Sequence, residues 1–452
     1  MSGIAELLVN LGYEVSGSDA KRSEVTDRLA SLGVSVAIGH RESNVGDVDV
    51  VVYTSAVRQD NPELTVARTR HITIIPRAEL LGELMRLRFG IAVAGAHGKT
   101  TTTSMIAVVL ERAGLDPTVV IGGRLSALGG NARLGRGAYM VAEADESDRS
   151  FLKLFPAIAV MTNIDREHME AYGSFENLQQ AFVEFANKVP FYGSIIACAD
   201  DPELIALRPR LSRRVITYGL TSDEAHIGAS DVRLEGFGSV STVTRRKSSG
   251  GVETLGTLRL QVPGRHSVQN ALAAVTVGLE LDVPFEQIAG ALADFPGVER
   301  RLERCGEVDG ITVIDDYGHH PTEIAAVLAA VRAAKPARVV VAFQPHRYSR
   351  TRDLMREFGL ALAAADELVL TEIYAASEDP IPGVTVEALA AAINTSRTLP
   401  VKVVKRLDEV APALAGIAQR GDVVITLGAG SIGGVAPRVI KELERRRGEG
   451  RT

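Results

Sequence analysis

Three observations place this chain in the α/β class, as three successive domains. Apolar runs of strand length alternate with helical patterns along most of its 452 residues, which is the signature of strands wound with helices. One such run, Ile91-Ala-Val-Ala, passes through Gly95-Ala-His-Gly98-Lys99-Thr100 into a helical pattern. The alternation is interrupted at residues 232–262 by short strands of a β-meander. The predicted architecture is a Rossmann-like N-terminal domain (1–88) that lacks its first strand, a central P-loop domain with the meander (89–296), and a doubly wound, Rossmann-like C-terminal domain (297–452).

Taken in order, residues 3–11 read as a helix, 14–16 as a strand and Gly17-Ser18-Asp19 as the turn at its end. In a dinucleotide-type unit a strand and Gly-x-Gly-x-x-Gly precede such a helix, with an acid about 20 residues on. Two readings stay open: Gly3 is the last glycine of that loop and Asp19 the acid, or the chain starts with a plain helix and Asp19 caps the next. Residues 48–53 and 72–75 read as strands, and Pro76 opens a helix to about residue 87.

In the second domain, Gly95 to Thr100 joins a strand to a helix N-terminus. First-turn N–H groups and the helix dipole suit an anion there. Lys99 adds charge, and the Thr100 hydroxyl can ligate Mg²⁺. The full P-loop spacing would put glycine at Val93, so the loop is a shortened form. Strands at 138–142 and 157–162 run into Glu143-Ala-Asp-Glu-Ser-Asp148 and Asn163-Ile-Asp-Arg-Glu-His168. Acids at strand C-termini sit where such sheets bind ligands. Glu143 is the surer Mg²⁺ ligand and His168 the weaker, since hard cations prefer oxygen. After the meander, Val262-Pro-Gly-Arg-His266 leads into helices at 270–281 and 284–293.

The third domain reads as strands at 312–314, 339–343, 368–371, 401–404 and 423–427, with helices at 322–334, from about 352, at 386–393, at 410–418 and at the end. Residues 445–450 are expected to fray. Gly428-Ala-Gly430-Ser-Ile-Gly433 fits the dinucleotide fingerprint, but no strand follows to carry a ribose-binding acid. It is read as the last βα turn. Two strand ends are unusually polar: Asp315-Asp316-Tyr317-Gly-His319-His320-Pro321, and Gln344-Pro-His346-Arg347-Tyr348-Ser-Arg350. Arginine's planar fork suits a carboxylate or phosphate. Arg300-Arg301 add charge from the domain boundary.

Composition narrows the function. With 46% hydrophobic and 23% charged residues the chain is a folded soluble protein. A net charge of −6 argues against nucleic-acid binding, which leaves a basic footprint. Arg245-Arg-Lys247 beside Ser248-Ser-Gly-Gly251 reads as a solvated hairpin tip. Two cysteines, Cys198 and Cys305, make no disulfide framework or metal cluster and fit a reducing cytoplasm. No apolar stretch is long enough to span a bilayer, and no signal peptide is evident.

Together, Gly95-Ala-His-Gly-Lys-Thr-Thr-Thr-Thr, Glu143-Ala-Asp-Glu-Ser-Asp, Asp165-Arg-Glu-His168, Asp316-Tyr-Gly-His-His-Pro-Thr-Glu and Phe343-Gln-Pro-His-Arg-Tyr-Ser-Arg resemble the Mur ligase family over essentially the whole chain. The shortened phosphate loop is a trait of that family. The resemblance implies an ATP-dependent amide ligase of peptidoglycan precursor synthesis, cytoplasmic, using ATP and Mg²⁺. The His-His and Gln-Pro-His-Arg-Tyr motifs favour the member that joins L-alanine to the lactyl carboxylate of UDP-N-acetylmuramate through an acyl phosphate. By resemblance, Gly95, Ala96, His97, Gly98, Lys99, Thr100 and Thr101 would hold the ATP phosphates and Asn270 the adenine side. Thr100, Glu143 and His168 would hold Mg²⁺. Arg301 and Asp316 would reach ATP when the third domain closes, and Lys99, His168, Arg301 and Asp316 would serve the chemistry. Tyr317, His319, Arg347 and Arg350 would receive alanine, and Asp19 and Ser55 would lie near the UDP moiety. Departures are the missing first strand with its glycine loop, and Ser267 where the family commonly has asparagine. The alternatives are a sibling that adds a whole murein peptide, and a truncated, non-catalytic ATP-binding protein. The sequence does not give the oligomeric state.

Overall fold

The computed structural model describes residues 1–54, 57–125, 130–247, 249–396 and 400–449. It divides into two compact units. The first holds Met1–Ser230, Thr242–Leu258 and Gln269–Ala293; the second holds Asp231–Ser241, Arg259–Val268 and Asp294–Thr452.

The first unit begins with α1 (Ser2–Asn10) and two parallel strand pairs. β1 (Ser16–Asp19) pairs with β2 (Ser35–Ile38), and β3 (Val50–Tyr53) with β4 (Thr73–Pro76). The helices α2 (Glu24–Ser31), α3 (Pro62–Thr69) and α4 (Arg77–Arg86) connect and follow them. The expected turn at Gly17-Ser18-Asp19 is instead the body of β1. Its register from Ser16↔Ser35 to Asp19↔Ile38 gives these polar residues a backbone partner, which side-chain patterning does not reveal.

A ten-stranded sheet follows. Its strands are β5 (Phe89–Ala94), β6 (Thr118–Leu125), β7 (Gly130–Arg133), β8 (Tyr139–Glu143), β9 (Ile158–Met161), β10 (Ser194–Cys198), β11 (Arg214–Gly219) and the meander β12 (Ile227–Glu235), β13 (Gly238–Arg246) and β14 (Val252–Leu260). The spatial order is β14-β13-β12-β11-β10-β9-β5-β8-β6-β7. β5 lies between β8 and β9, parallel to both, so the polar segments after all three emerge at one sheet end. Ile91 to Ala94 are fully buried, as a strand covered on both faces requires. α5 (Lys99–Arg112), α6 (Met169–Tyr172), α7 (Phe175–Asn187), α8 (Pro202–Leu207), α9 (Arg265–Glu280) and α10 (Phe285–Ala293) complete the central part of the chain. α9 starts five residues before the expected 270. Gly264 turns at φ +92, and Ser267 closes the first turn by donating its N–H to Gly264 O and its hydroxyl to Pro263 O. The basic run does close a hairpin between β13 and β14, with Lys247 N bonded to Gly251 O; Ser248 lies outside the described residues.

The second unit carries a six-stranded sheet of β15 (Glu303–Val308), β16 (Ile311–Asp316), β17 (Val339–Phe343), β18 (Glu367–Leu370), β19 (Val401–Val403) and β20 (Val423–Leu427), in the order β15-β16-β20-β17-β18-β19. β15 is an antiparallel edge; the other strands run parallel. Alternate residues feed two cores. Ile314, Val341, Phe343, Ile425 and Leu427 face one cluster, with Leu328 of α11 (Pro321–Ala333) and Phe358 of α13 (Met355–Leu362). Val313, Val340, Ala342 and Val424 face the other, with Leu414 of α15 (Val410–Ile417) and Val439 of α16 (Ala436–Glu449). The helix expected from about 352 is two helices, α12 (Tyr348–Asp353) and α13, meeting at Leu354. α14 (Val386–Ser396) precedes β19. The expected fraying begins too early: α16 runs to Glu449, and Arg446 donates to the carbonyls of Ala415 and Ala418. Among the described residues no helix is long and apolar enough to cross a membrane.

Candidate active site

In the first unit the phosphate loop is shaped by two glycines and clamped from the end of β9. Gly95 and Gly98 have φ of +140 and +80, conformations that side-chain-bearing residues rarely adopt. A Cβ on Gly98 would lie 2.6 Å from Asn270 Oδ1, so the Asn270 side chain packs against the loop. Asn163 accepts from His97 N (2.8 Å) and donates to His97 O (3.0 Å). The Thr162 hydroxyl also donates to His97 O (2.7 Å), and Ala96 N to Asn163 O (3.2 Å). His97 Nε2 lies 2.9 Å from Asp165 Oδ2. Gly98 is the N-cap of α5 and no side chain caps it, so the first turn with Lys99, Thr100 and Thr101 presents an anion site.

Lys99 is held inside this loop. Its Nζ donates to Gly95 O (2.6 Å), Ala96 O (3.0 Å) and Glu146 Oε1 (2.8 Å). Burial works to lower its pKa, but Glu146 and Glu143 more than offset that and leave it above the ordinary lysine value. Burial pushes the Glu146 carboxyl up to about 7 against the pull of Lys99.

His168, with φ +56, stands before α6. Its Nε2 lies 3.6 Å from Glu167 Oε2 and 4.0 Å from Glu146 Oε1. Glu146, Glu167 and His168 each offer a ligand atom, all within 4.8 Å of one another. Glu146 Oε2 is buried and makes no hydrogen bond. A buried carboxylate oxygen without a donor, beside a second carboxylate, suits a hard divalent cation. Glu143 stands apart from this group at the end of β8, accepting from Gly122 N at 2.9 Å. Thr100 is buried in the first turn of α5.

The second unit gathers its polar residues where β16, β20 and β17 end side by side. Asp316 is 3% exposed and gives both oxygens to backbone donors, Leu302 N at 2.7 Å and Gly318 N at 2.6 Å. Burial raises its pKa to about 6, against the opposing pull of Arg301. Arg300 bonds Asp315 (2.8 Å) and Gly428 O (2.6 Å). Both Arg300 and Arg301 lie over the Tyr317 ring, 5.1 and 5.0 Å from its centroid. Glu323, in the first turn of α11, approaches Arg301 at 3.5 Å and His319 Nδ1 at 3.2 Å.

From Tyr317 an edge-to-face series of rings runs to His319 (5.5 Å) and on to His346 (5.6 Å). Burial, with His319, Arg350 and Arg347 nearby, holds the His346 pKa down to about 4. The ring is neutral and can accept from Arg350 Nη1, 3.3 Å from its Nδ1. Arg347 is 40% exposed, 4.0 Å from Glu378, with φ +71. Thus Arg301, Tyr317, His319 and Arg350 join one cluster, and Arg347 sits three residues before Arg350 on the same turn.

In the N-terminal part, Asp19 is exposed at the end of β1 and accepts from Lys21 N at 3.1 Å; it does not cap α2, whose N-cap is Ser23, in a capping box with Thr26. Ser55 lies outside the described residues.

Three family models match the chain in succession. The Mur ligase family catalytic domain matches residues 1–89, the Mur ligase middle domain 93–278, and the Mur ligase glutamate ligase domain 300–430. A protein of Geobacter sulfurreducens named UDP-N-acetylmuramate--L-alanine ligase is 54% identical over 449 residues, covering 99% of this chain and 96% of that one. One of the same name from Trichlorobacter lovleyi is 52% identical, covering 98% and 96%. The solved UDP-N-acetylmuramate-alanine ligase of Thermotoga maritima superposes with a TM-score of 0.82 at 28% identity, covering 99% and 97%.

The chain belongs to the Mur ligase family.

As a Mur ligase it has the three-domain α/β fold of that family. Several residues at its sites were not singled out by the sequence reading. Asn163, Thr162 and Asp165 clamp the loop, Glu146 and Glu167 surround His168, and Glu323 and Tyr374 organise the second unit. Asn163, Asp165, Glu146 and Glu167 lie inside motifs already noted, so their position at strand ends was the available signal. Tyr374 lies outside every motif and had none.

Proposed function

We propose that this chain is an ATP-dependent ligase that joins L-alanine to the lactyl carboxylate of UDP-N-acetylmuramate, giving ADP and phosphate, in peptidoglycan precursor synthesis. The observation that carries this reading is the two-arginine strand end around His319 and His346, in a chain whose relatives along nearly its full length are named for that reaction. The domains are taken as 1–88 for the UDP-sugar, 89–296 for ATP, and 297–452 for the amino acid. The reaction belongs in the cytoplasm, where ATP is supplied.

Residues 95–101 form the loop for the ATP phosphates, which the first-turn N–H groups of α5 receive, and Asn270 borders the nucleotide. Lys99 leaves its loop carbonyls to neutralise the phosphate charge that grows as the γ-phosphoryl passes to the lactyl carboxylate. The alanine amine then attacks the acyl phosphate carbonyl, the amide bond forms and phosphate leaves. Thr100, Glu143 and His168, with Glu146 and Glu167 beside His168, would hold Mg²⁺, which supplies charge neutralisation to the phosphates. Arg347 and Arg350 take the alanine carboxylate, with Tyr317 and His319 beside it. Arg301 and Asp316 serve the nucleotide from the second unit, Asp316 by fixing the 300–302 corner to β16. Asp19 and Ser55 serve the UDP moiety.

The test is phosphate release by the chain with ATP, Mg²⁺ and UDP-N-acetylmuramate, with and without L-alanine. Alanine-dependent release is expected. Release that needs a murein tripeptide instead would assign the sibling activity, and ATP binding without release under either condition would assign a non-catalytic role.

A further inference from the structure

The Gly428-Ala-Gly430-Ser-Ile-Gly433 run has the spacing of a nucleotide fingerprint, yet its glycines face side chains of the same unit. A Cβ on Gly430 would lie 2.7 Å from Tyr374 Cγ and 2.6 Å from Gln344 Oε1. A Cβ on Gly433 would crowd the Arg300 guanidinium. Gln344 accepts from Ile432 N (3.0 Å) and Ser431 Oγ (3.3 Å), and Gly428 O accepts from Arg300. The spacing is therefore explained by three close approaches, by Tyr374, Gln344 and Arg300.

Tyr374, beyond β18, touches both arginine supports. Its N–H donates to Pro345 O and its carbonyl accepts from Arg347 N, each at 2.8 Å, as a parallel bridge to His346. Arg347 is thereby pinned at φ +71, ψ +139, a strained backbone conformation for a residue with a side chain, which persists only where its surroundings hold it. The Tyr374 ring stacks on His346, with centroids 5.4 Å apart and planes 11° from parallel. His346 in turn lies 3.3 Å from Arg350. One arginine is thus supported through the Tyr374 backbone and the other through a ring stacked on the Tyr374 side chain.

We propose that Tyr374 is a positioning residue for the amino-acid carboxylate, seated in a socket that Gly430 leaves open. This rests on Arg347 and Arg350 taking that carboxylate. Tyr374 is 41% exposed, so removing its ring empties little of the core. The contact that matters is the stacked face of the ring, so phenylalanine can replace it and alanine cannot.

The experiment measures kcat and KM for each substrate in the full chain and in Tyr374→Ala, Tyr374→Phe and Gly430→Ala. Tyr374→Ala is expected to raise the KM for L-alanine about tenfold, with kcat and the KM values for ATP and UDP-N-acetylmuramate changed less than about threefold. Tyr374→Phe should restore the alanine KM, because the hydroxyl is not the contact, whereas Gly430→Ala should reproduce the defect by pushing the ring aside. An unchanged alanine KM in Tyr374→Ala, or a rise that phenylalanine does not rescue, overturns the proposal. Failure of the functional reading shows separately, as absence of alanine-dependent phosphate release in the unsubstituted chain.

Discussion

In the phosphate loop the charged group is fixed mainly by backbone. Lys99 rests on the carbonyls of Gly95 and Ala96 and on one carboxylate, and the loop is held by hydrogen bonds from Thr162 and Asn163. In the arginine cluster of the second unit the charged groups are fixed mainly by side chains. Arg350 meets an imidazole, that imidazole stacks on Tyr374, and Arg301 lies on Tyr317 beside Glu323. A backbone cradle suits a phosphate, whose many oxygens accept from any N–H. A side-chain cluster suits an amino acid, whose recognition needs a particular shape. The first kind of site should therefore fail sharply when its single charge is removed, and the second should lose affinity by degrees.

Lys99→Ala is the strongest way to break this contrast. Turnover should fall about a hundred- to a thousandfold, because the lost group acts on charge that grows in the transition state. The chain should stay folded. Glu146, with its pKa already near 7, takes a proton when its partner leaves, which avoids an unpaired buried charge. Activity near that of the unsubstituted chain, with an unchanged melting curve, would remove the phosphate-loop assignment. Arg347→Ala comes next. A charged hydrogen bond is worth about 1.5–3 kcal/mol, so the KM for alanine should rise roughly ten- to a hundredfold while kcat changes little. If the alanine KM stays put and the ATP KM rises instead, the amino-acid site lies elsewhere.

Asn163→Ala sharpens the backbone half of the comparison. It removes two hydrogen bonds to His97, each worth about 1 kcal/mol net. The KM for ATP should rise several-fold, and the KM for alanine should not move. Equal effects on both substrates would mean that the clamp supports the fold at large and not the loop in particular.

The two sites were unequally legible in the sequence. The phosphate loop could be placed because glycine, lysine and threonine at fixed spacing leave one physical arrangement, and the apolar run of β5 and the helical pattern of α5 flank it. Strands 339–343 and 423–427 were likewise placed to the residue, because buried parallel strands are nearly continuous apolar runs, broken here only by Thr426. β1 was misplaced because Gly17-Ser18-Asp19 looks like a turn until its partner strand is known. In the second unit the residue types at two strand ends pointed to a site, but their pairings did not. That β20 lies between β16 and β17, bringing Gly430 against Tyr374, is a matter of strand order, which no local pattern encodes.

The smallest effect concerns how each site treats buried charge. The loop sets Lys99 against Glu146, opposite charges in contact. The second unit sets His266 near Arg301; burial first, and that like charge second, hold the imidazole down to about 4 from an ordinary 6.5. His266 is therefore neutral when folded and readily protonated when unfolded. Between pH 6.5 and 4 the unfolded chain binds more protons, so stability is fully present above pH 6.5 and drains away as the pH falls toward 4. The loss at pH 5 relative to pH 7.5 should be at most about 2 kcal/mol. Urea unfolding of the chain and of His266→Gln at both pH values isolates it, since carboxylates common to the two proteins cancel. The glutamine variant should lose less stability on acidification than the unsubstituted chain. Equal losses would show that the imidazole is not held neutral beside Arg301.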